Sequence, residues 1–352
     1  MRSEIFRDNE WLHIGSGSNL LFLGDYHGLV LRSDILGRAM YQKDAGTAFA
    51  IAGAGEDWSD FVDWCVEQGL GGLENLACIP GTVGAAPVQN VGAYGVEAGQ
   101  LIHSVEVMDV QTHKVERILG NECGFGYRDS RFKHEWKGRY IVLRVSFRLR
   151  PSTEARNLEY GPLRDLWERL GHTPSIAEVR DEIRSVRSAK LPDPEEIGSA
   201  GSFFRNPVVD TYYFNEVVRP LAPDIVSYPV GDGSRTKLAA GWLIEHAGLK
   251  GSTVGGAEVY PKQCLVIANR GGATYQKVQH EVRRRFAVEL KPEVNYISTR
   301  IDVEMLGTGT SKGVPEIGCL CPVCSSEDSR DKRLRSSVWV RTHGLSIIID
   351  PS

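Results

Sequence analysis

The chain has 352 residues, of which 41% are hydrophobic and 24% are charged, and its formal net charge is −4. This length predicts two or three domains with ample core, and the mild negative charge argues against nucleic acid or an acidic membrane surface as the main partner. No apolar run reaches the roughly 18–20 residues that span a bilayer, and the N-terminus lacks the apolar segment of a signal peptide. The sequence therefore predicts a protein of the cytoplasm with no membrane partner.

The first 150 residues contain short strand patterns separated by glycine. The segments WLHIG, GLVLRS and AFAIAGAG each predict a strand, and SVEVMDV and KVERIL on either side of QTH predict a hairpin. YIVLRVSFRLR alternates from Ile141 to Leu149, which predicts a half-buried antiparallel strand. One helix is predicted in EDWSDFVDWCVEQGLGG, where Phe61 and Cys65 share an apolar face and Gly69 provides the stop.

The second half mixes helices and strands. Ser175 and Glu178 form a capping box, so a helix is predicted to begin there and to end before LPDP. KLAAGWLIEHAG predicts another helix and CLVIAN a strand, and no internal repeat is visible. The fold class is therefore α+β, with expected domains at 1–150, 151–300 and 301–352.

Two glycine-rich segments carry the first functional signal. IGSGSNLLF resembles half of a dinucleotide fingerprint, but Leu20 occupies the position of the third glycine and a strand follows, so a Rossmann domain is excluded. Such a loop can still present several backbone N–H groups to phosphate, or it can be an ordinary tight turn. IPGTVGAAPVQNVGAYG holds four glycines without an amphipathic period, which favours close approach of the backbone to a planar ligand over a plain surface loop.

These segments, with several later ones, resemble the UDP-N-acetylenolpyruvoylglucosamine reductase family. The matching blocks in order are GSGSNLLF, GLENLACIPGTVGAAPVQNVGAYGVE, CGFGYRDSRFK, KLPDP, GSFFRNPVV, KLAAGWLIEHAGLKG and LKPEV. The resemblance runs from about Leu12 to about Ile297. It implies an FAD-binding domain of the vanillyl-alcohol oxidase and p-cresol methylhydroxylase type, a substrate-binding domain, NADPH as co-substrate and a UDP-sugar enolpyruvyl ether as substrate.

The resemblance also implies the site residues. The FAD-binding positions are Gly17, Ser18, Asn19, Leu20, Pro80, Gly81, Gly84, Gln89, Asn90, Gly92 and Tyr94. The positions implied to contact substrate or nicotinamide cofactor are Tyr160, Lys190, Asn206 and Gln263. Tyr160 in LEYGPL matches the tyrosine loop of the first family subtype.

The implied catalytic residues are Arg128, Ser202 and Glu293. Reduction of an enol ether places negative charge next to a carboxylate, so the site needs a cation, a polarising acid and a proton donor. Arg128 suits the first role through its planar fork, Glu293 the second, and Ser202 the third. Taken singly, Arg128 is equally suited to a surface pair with Asp129, Ser202 to capping a turn, and Glu293 to an exposed strand start.

The chain begins only a dozen residues before GSGSN, whereas the family has a further strand and helix there. We therefore expect part of the FAD domain to be missing, which puts full activity in doubt and leaves an impaired flavin and sugar-nucleotide binder as an alternative. The chain is expected to be a monomer.

The cysteines fall into two groups. Cys65, Cys78, Cys123 and Cys264 stand apart among apolar neighbours, which is typical of reduced core thiols. The remaining three are clustered in the C-terminal tail.

The tail from about Val303 to Ser352 does not belong to the reductase pattern. It resembles the opening of a metallo-β-lactamase-fold hydrolase, which leaves a zinc hydrolase as a second alternative. Its thiols Cys319, Cys321 and Cys324 are candidate ligands for structural zinc, with His343 as a conceivable fourth, and free thiols are the other interpretation. The chain stops before any His-rich motif, so we expect a loosely ordered stump without phosphodiesterase activity and unchanged reductase activity after a cut at Arg300.

Overall fold

The structure is a computed structural model. It describes residues 6, 9–193, 196–273, 275–297, 302–307, 337–342 and 345–349. The chain divides into two compact units, Met1–Leu21 with Gly28–Asn295, and Phe22–His27 with Tyr296–Ser352.

Short strands occur in both units. The strands up to residue 151 are β1 (Trp11–Ile14), β2 (Leu20–Phe22), β3 (Leu29–Arg32), β4 (Arg38–Asp44), β5 (Thr47–Gly53), β6 (Leu70–Gly71), β7 (Gly92–Ala93), β8 (Val96–Glu97), β9 (Ile102–Asp109), β10 (Val115–Leu119) and β11 (Tyr140–Pro151). The later strands are β12 (Gly198–Ser202), β13 (Val208–Asp210), β14 (Ser227–Val230), β15 (Arg235–Leu238), β16 (Thr253–Val259), β17 (Val266–Ala273), β18 (Asn295–Ile297), β19 (Asp302–Gly307), β20 (Ser337–Thr342) and β21 (Leu345–Ile349).

The helices are fewer and most lie in the second half. They are α1 (Trp58–Glu67), α2 (Ala86–Gln89), α3 (Gly161–Leu170), α4 (Ile176–Lys190), α5 (Thr211–Tyr213), α6 (Arg219–Leu221), α7 (Ala240–His246) and α8 (Gln276–Phe286). A π-helical turn, Phe214–Val218, joins α5 to α6. With strands and helices mixed in this way, the α+β fold class is confirmed.

A six-stranded sheet forms the core of the first half. Its order is β10-β9-β11-β5-β4, with β6 paired to the end of β11. Helix α1 packs on one face, where Trp58 and Phe61 place their rings 5.8 and 5.4 Å from that of Phe147. All three side chains are buried, and each fully buried aromatic stabilises the fold by about 1.5–3 kcal/mol. The indole N–H of Trp58 donates to the Leu76 carbonyl, so its polar atom is satisfied.

The elements predicted from alternation and capping are confirmed. Strand β11 lies between β9 and β5 and buries alternate residues, and β9 and β10 pair as the expected antiparallel hairpin. The Ser175–Glu178 capping box is present at the start of α4, with the Ser175 hydroxyl accepting from the Glu178 N–H at 3.2 Å. Asp57 caps α1 by accepting two backbone N–H bonds.

Elements in two glycine-rich segments were not predicted from the sequence. The segment IPGTVGAAPVQNVGAYG contains the one-turn helix α2, a 3₁₀ turn Val83–Ala85 and strand β7. Gly198–Ser202 is strand β12. It pairs with β17 in an irregular antiparallel ladder, in which Ser202 lies opposite Val266. The local glycines hid both elements from pattern analysis.

Three of the four scattered thiols are buried as expected, and Cys78 is half-buried. Burial raises the pKa of Cys123 to about 12, which keeps the thiol protonated. In the smaller unit, β19, β20 and β21 form an antiparallel sheet. Among the described residues, no helix combines the length and the apolar composition that a membrane span requires.

Candidate active site

Arg128 lies in a tight two-residue turn. Gly126 and Asp129 exchange both backbone hydrogen bonds at 3.0 Å, so Tyr127 and Arg128 occupy the two corner positions. The φ angle of Arg128 is +55°, in the left-handed region that usually requires glycine or asparagine at this corner. A non-glycine residue held there costs about 1–3 kcal/mol, which surrounding contacts must offset.

The guanidinium of Arg128 is held by a carboxylate far along the chain. Its Nε donates to Oε1 of Glu293 at 2.8 Å across 165 residues of sequence, and Nη2 donates to the Gly92 carbonyl at 2.5 Å. The two charged side chains are only 18% and 14% exposed. Because arginine has five N–H hydrogens and two are used, three remain for a ligand.

This geometry decides two of the alternatives that the sequence left open. Arg128 pairs with Glu293 and not with its neighbour Asp129, whose carboxylate meets the ring of His134 at 2.7 Å instead. Glu293 is not an exposed carboxylate, since its side chain is 14% exposed. Both side chains therefore belong to one half-buried ion pair.

Glu293 is also fixed through its backbone. Its N–H donates to the Phe203 carbonyl at 2.8 Å, and its own carbonyl accepts from the Asn19 side chain at 3.4 Å. Phe204 and Pro292 form an antiparallel bridge beside this bond. The segment after Ser202 thus runs alongside the segment that carries the carboxylate.

Ser202 is the last residue of β12 and is exposed. It immediately precedes Phe203, whose N–H donates to the Leu265 carbonyl at 2.7 Å and whose carbonyl accepts the Glu293 N–H. The hydroxyl of Ser202 shows no capping bond among the described residues, so the turn-capping interpretation gains no support. Its role as proton donor stays a prediction.

Gln89 joins the ion pair from α2. Its amide Nε2 donates to Oε1 of Glu293 at 3.4 Å, and its Oε1 accepts from Nζ of Lys133 at 2.9 Å. Nζ of Lys133 also donates to the Arg128 carbonyl at 3.2 Å. The sequence analysis missed Lys133 as a site residue, although it ends the motif block CGFGYRDSRFK only five residues after Arg128.

The two glycine loops lie against each other. The Ser18 hydroxyl donates to the Pro80 carbonyl at 3.1 Å, and a Cβ on Gly15 would come within 2.8 Å of the Thr82 hydroxyl oxygen. Gly17 has a φ of +79° and open space where a side chain would begin. The open space at Gly17 lets a ligand approach the backbone closely, which fits a phosphate-bearing cofactor such as FAD.

The two loops also reach Glu293. The side-chain amide of Asn19, in the first loop, donates to the Glu293 carbonyl, and that of Gln89, in the second loop, donates to the Glu293 carboxylate. A cofactor held between the loops would therefore lie next to the ion pair. The N–H of Leu20 donates to the Gly17 carbonyl, which closes the turn of the first loop.

Tyr127, the other corner residue of the Arg128 turn, lies close to several further tyrosines. The rings of Tyr94 and Tyr160 meet edge to face at 5.7 Å. Nζ of Lys237 lies 5.0 Å from the ring centre of Tyr127 and 5.8 Å from that of Tyr228. Burial raises the pKa of Tyr127 and of Tyr160, so these hydroxyls stay protonated and can donate hydrogen bonds.

Four residues that the resemblance implied as ligands have structural contacts of their own. The Asn90 side chain donates to Glu97 and to the Gly126 carbonyl and accepts from Gly99, so a contact with cofactor would have to come from its backbone. Gly84 packs against Ala54, where a Cβ would lie 2.6 Å from the alanine Cβ.

Asn206 caps α7 by accepting the Ala240 N–H at 3.0 Å, and Gln263 accepts the Leu265 N–H at 3.3 Å. Lys190 is exposed at the end of α4. Nothing among these contacts tests the implied roles in ligand binding, which stay predictions, as do those of Pro80 and Gly81.

The tail thiols Cys319, Cys321 and Cys324 and the candidate His343 lie outside the described residues. In the part of the chain that the structure describes, no group of three or more His, Cys, Asp or Glu side chains could hold a metal ion. Structural zinc in the tail therefore stays an untested prediction.

Comparison with known proteins identifies similar sequences. The family model described as UDP-N-acetylenolpyruvoylglucosamine reductase, C-terminal domain, matches residues 193–297, and the FAD binding domain model matches residues 7–118. UDP-N-acetylenolpyruvoylglucosamine reductases from Burkholderia multivorans and Burkholderia vietnamiensis are each 47% identical over 292 residues, which is 80% of this chain and 83% of theirs.

Among solved structures, the UDP-N-acetylenolpyruvylglucosamine reductase of Thermus caldophilus matches with a TM-score of 0.53 and 24% identity, covering 82% of this chain and 86% of that one. This likeness supports the fold. A diphosphatase of the PhnP family is 53% identical over 14% of this chain and 19% of that chain, with a TM-score of 0.13, and that likeness shows neither fold nor activity.

Proposed function

The chain belongs to the UDP-N-acetylenolpyruvoylglucosamine reductase family, and on this premise we propose that the Arg128–Glu293 pair is the centre at which the enolpyruvyl group is reduced. The chain is an FAD-dependent oxidoreductase that reduces UDP-N-acetylenolpyruvoylglucosamine in peptidoglycan synthesis. The observation that carries the site is the half-buried ion pair, 2.8 Å long, that both glycine loops approach through Asn19 and Gln89.

We propose that the two glycine loops hold FAD. Gly17, Ser18 and Asn19 on one loop meet the segment from Pro80 to Tyr94 on the other through the Ser18–Pro80 hydrogen bond, and the glycines of both loops let a cofactor approach the backbone. When bound, FAD supplies the hydride that is added to the vinyl carbon of the substrate, and NADPH is the proposed source of that hydride.

The residues of the chain stabilise the charge that hydride addition creates. Breaking the C=C π bond leaves an electron pair on the carbon next to the substrate carboxylate. Arg128 opposes this charge with the three N–H hydrogens that Glu293 and the Gly92 carbonyl leave unused. The Ser202 hydroxyl gives its proton to that carbon, which completes the saturated ether, and the serine regains a proton from water.

Glu293 has two roles in this proposal. Its carboxylate fixes the plane of the Arg128 guanidinium, and its backbone ties the segment after Ser202 to the same place through Phe203. Tyr160, Lys190, Asn206 and Gln263 are proposed to contact the UDP moiety or the nicotinamide cofactor. We also propose a cytoplasmic location, which the free thiols of the described residues and the nucleotide-sugar substrate support.

A turnover assay tests the proposal. The purified full chain is reconstituted with FAD, and NADPH absorbance is followed after addition of UDP-N-acetylenolpyruvoylglucosamine. The expected result is substrate-dependent NADPH oxidation, with a product heavier by two hydrogens in the mass spectrum. A chain that binds FAD but oxidises no NADPH with this substrate would be the impaired binder, and a colourless chain with zinc-dependent phosphodiester hydrolysis would be the hydrolase; either would contradict the proposal.

A further inference from the structure

Lys133 ends the 3₁₀ turn Arg131–Lys133 and reaches into the active site without touching Glu293 by a hydrogen bond. Its Nζ has two acceptors, Oε1 of Gln89 at 2.9 Å and the Arg128 carbonyl at 3.2 Å. Ser130, three residues earlier, donates its hydroxyl to the Val88 carbonyl at 2.7 Å. The turn that carries the ammonium is thus fastened to α2, the helix that carries Gln89.

The first contact sets the orientation of an amide. The Gln89 side chain has an acceptor end and a donor end, and these can exchange by rotation about one bond. An ammonium can only donate, so it selects the orientation in which the amide oxygen faces Lys133. The NH₂ end then faces Glu293, and its donor meets Oε1 at 3.4 Å. In the reverse orientation the amide oxygen would face the carboxylate, and two acceptors would repel.

The second contact holds the strained turn. Arg128 has a φ of +55°, and its carbonyl is the group that Nζ of Lys133 engages. A charge-assisted bond at this point opposes relaxation of the turn, which would move the guanidinium from Glu293. One ammonium therefore acts on both protein donors that meet Oε1 of Glu293.

The surroundings of Lys133 include groups that lower the pKa of its ammonium and groups that raise it. Burial lowers the pKa of its ammonium, and the Arg205 guanidinium and Arg128 lower it further, whereas Asp129 and Glu293 oppose this effect. A cation kept at such a place needs a compensating contribution, and its two fixed acceptors supply it. A methionine of similar length would remove both contacts while keeping the packing.

We propose that Lys133 is a positioning residue for enolpyruvyl reduction, which acts by orienting the Gln89 amide and the Arg128 turn so that Glu293 is held by donors on one oxygen. This inference rests on the proposed function, because it assumes that Arg128 and Glu293 act on the enolpyruvyl group. It adds a residue that contacts neither the substrate nor the cofactor in the proposed mechanism.

The test compares single and double variants in the two half-reactions, followed by flavin absorbance in a stopped-flow instrument. Lys133→Met is expected to slow reoxidation by the enolpyruvyl substrate by about 10-fold to 100-fold at saturating substrate, because a misplaced catalytic group has costs of this order. Reduction by NADPH should be unchanged. Lys133→Arg, which keeps the charge and the donors, should recover most of the rate, and Lys137→Met on the neighbouring exposed lysine should match the parent.

The double variant decides whether Lys133 acts through Gln89. In a Gln89→Leu background, adding Lys133→Met should slow reoxidation by a smaller factor than in the parent, because only the contact with the Arg128 carbonyl is then left to lose. Full additivity, an equal slowing of both half-reactions, or a change confined to substrate affinity would each overturn the inference. Absence of substrate-dependent reoxidation in the parent chain would instead refute the proposed function itself.

Discussion

In the six-stranded sheet, Val145 lies opposite Val105 on one neighbouring strand and Ala52 on the other, and all three side chains are fully buried. In the proposed active site, the side chains that meet are charged or polar and come from the Arg128 turn, the one-turn helix α2 and the segment around Glu293, which has no helix or strand. The Arg128–Glu293 pair joins positions 165 residues apart, with one partner at a φ of +55°. The sheet is therefore stabilised by burial, whereas the site depends on burial elsewhere to hold a strained turn and a desolvated ion pair.

This difference predicts that the two regions respond to substitution in opposite ways. Changes in the sheet should lower the free energy of unfolding and leave the balance of the two half-reactions intact. Changes in the site should alter one half-reaction with little effect on unfolding, because active sites carry groups that contribute little to stability. Substitutions in each region can sharpen this contrast or remove it.

The largest effect is expected for Ser202→Ala. Reduction of the flavin by NADPH needs no proton from serine and should stay nearly intact, whereas reoxidation by the enolpyruvyl substrate should slow by about 10²-fold or more. Ser202 is exposed, so the unfolding midpoint should not change. Stopped-flow traces with both half-reactions unaltered would remove Ser202 from the mechanism.

Arg128→Lys should be almost as damaging as Arg128→Ala, with reoxidation about 10²-fold slower. An ammonium cannot hold Glu293 and the Gly92 carbonyl in the plane of a guanidinium and still offer two donors to a carboxylate. The comparison is made by single-turnover reoxidation at saturating substrate. Retention of most of the rate in the lysine variant would mean that charge matters and geometry does not.

Phe147→Ala tests the other region. Phe147 is fully buried against Trp58 and Phe61, so its removal should lower the free energy of unfolding by about 3–5 kcal/mol. The ratio of the two half-reaction rates should stay at the parent value below the unfolding transition. Tyr212→Ala, at a ring that is 75% exposed, serves as the control with a change within about 0.5 kcal/mol. Denaturant unfolding at fixed FAD concentration measures the stability of both variants. A selective loss of reoxidation in Phe147→Ala would contradict the expected difference between the sheet and the site.

The smallest effect is expected at Asp109, at the end of β9. Its carboxylate accepts the N–H groups of Thr112 and Gln111 at 2.9 Å and Nε of Arg139 at 3.1 Å, and these bonds lower its pKa from 3.8 to about 2. A lowered pKa contributes stability that is fully present above the unfolded value and lost as pH falls toward the folded value. Asp109→Asn should therefore unfold at lower denaturant near neutral pH.

The difference in free energy of unfolding between Asp109→Asn and the parent should decrease on acidification, with roughly half of it remaining at about pH 3. Matched denaturant titrations at the two pH values check this expectation. A gap that is independent of pH would show that the hydrogen-bonding shape of the side chain matters and its charge does not.

Alternation predicted β11, and the capping box at Ser175 predicted the start of α4, because both are local signals. The sequence analysis missed helices α3 and α8. It also missed β4, β12 and the one-turn helix α2, because short, glycine-rich or exposed elements have little periodicity. For the site, the resemblance supplied residue names but not contacts. Arg128 pairs with Glu293 instead of Asp129 because the fold brings together two positions that are 165 residues apart in the sequence, and no local pattern encodes such a contact.

Lys133 is a second residue whose contacts the sequence could not predict. It stands in a motif block shared with the family, yet its significance comes only from the 2.9 Å contact with Gln89, a residue 44 positions earlier. The side-chain contacts of Asn90 could not be predicted either, because they join it to Glu97, Gly99 and the Gly126 carbonyl, and its cofactor-binding role stays a prediction. Residue type and spacing thus indicated the chemistry that we propose for the site, and the tertiary structure supplied the contacts between its side chains.

The central claim is that Arg128 and Glu293 act as one unit on the enolpyruvyl group, and a double-mutant cycle on reoxidation tests it most directly. Arg128→Lys, Glu293→Gln and the double variant are compared with the parent in single-turnover reoxidation by UDP-N-acetylenolpyruvoylglucosamine. We predict that the double variant is about as slow as the slower single variant, because residues that act as a unit are strongly non-additive. Losses that simply multiply, or a Glu293→Gln variant with the parent rate, would contradict the account.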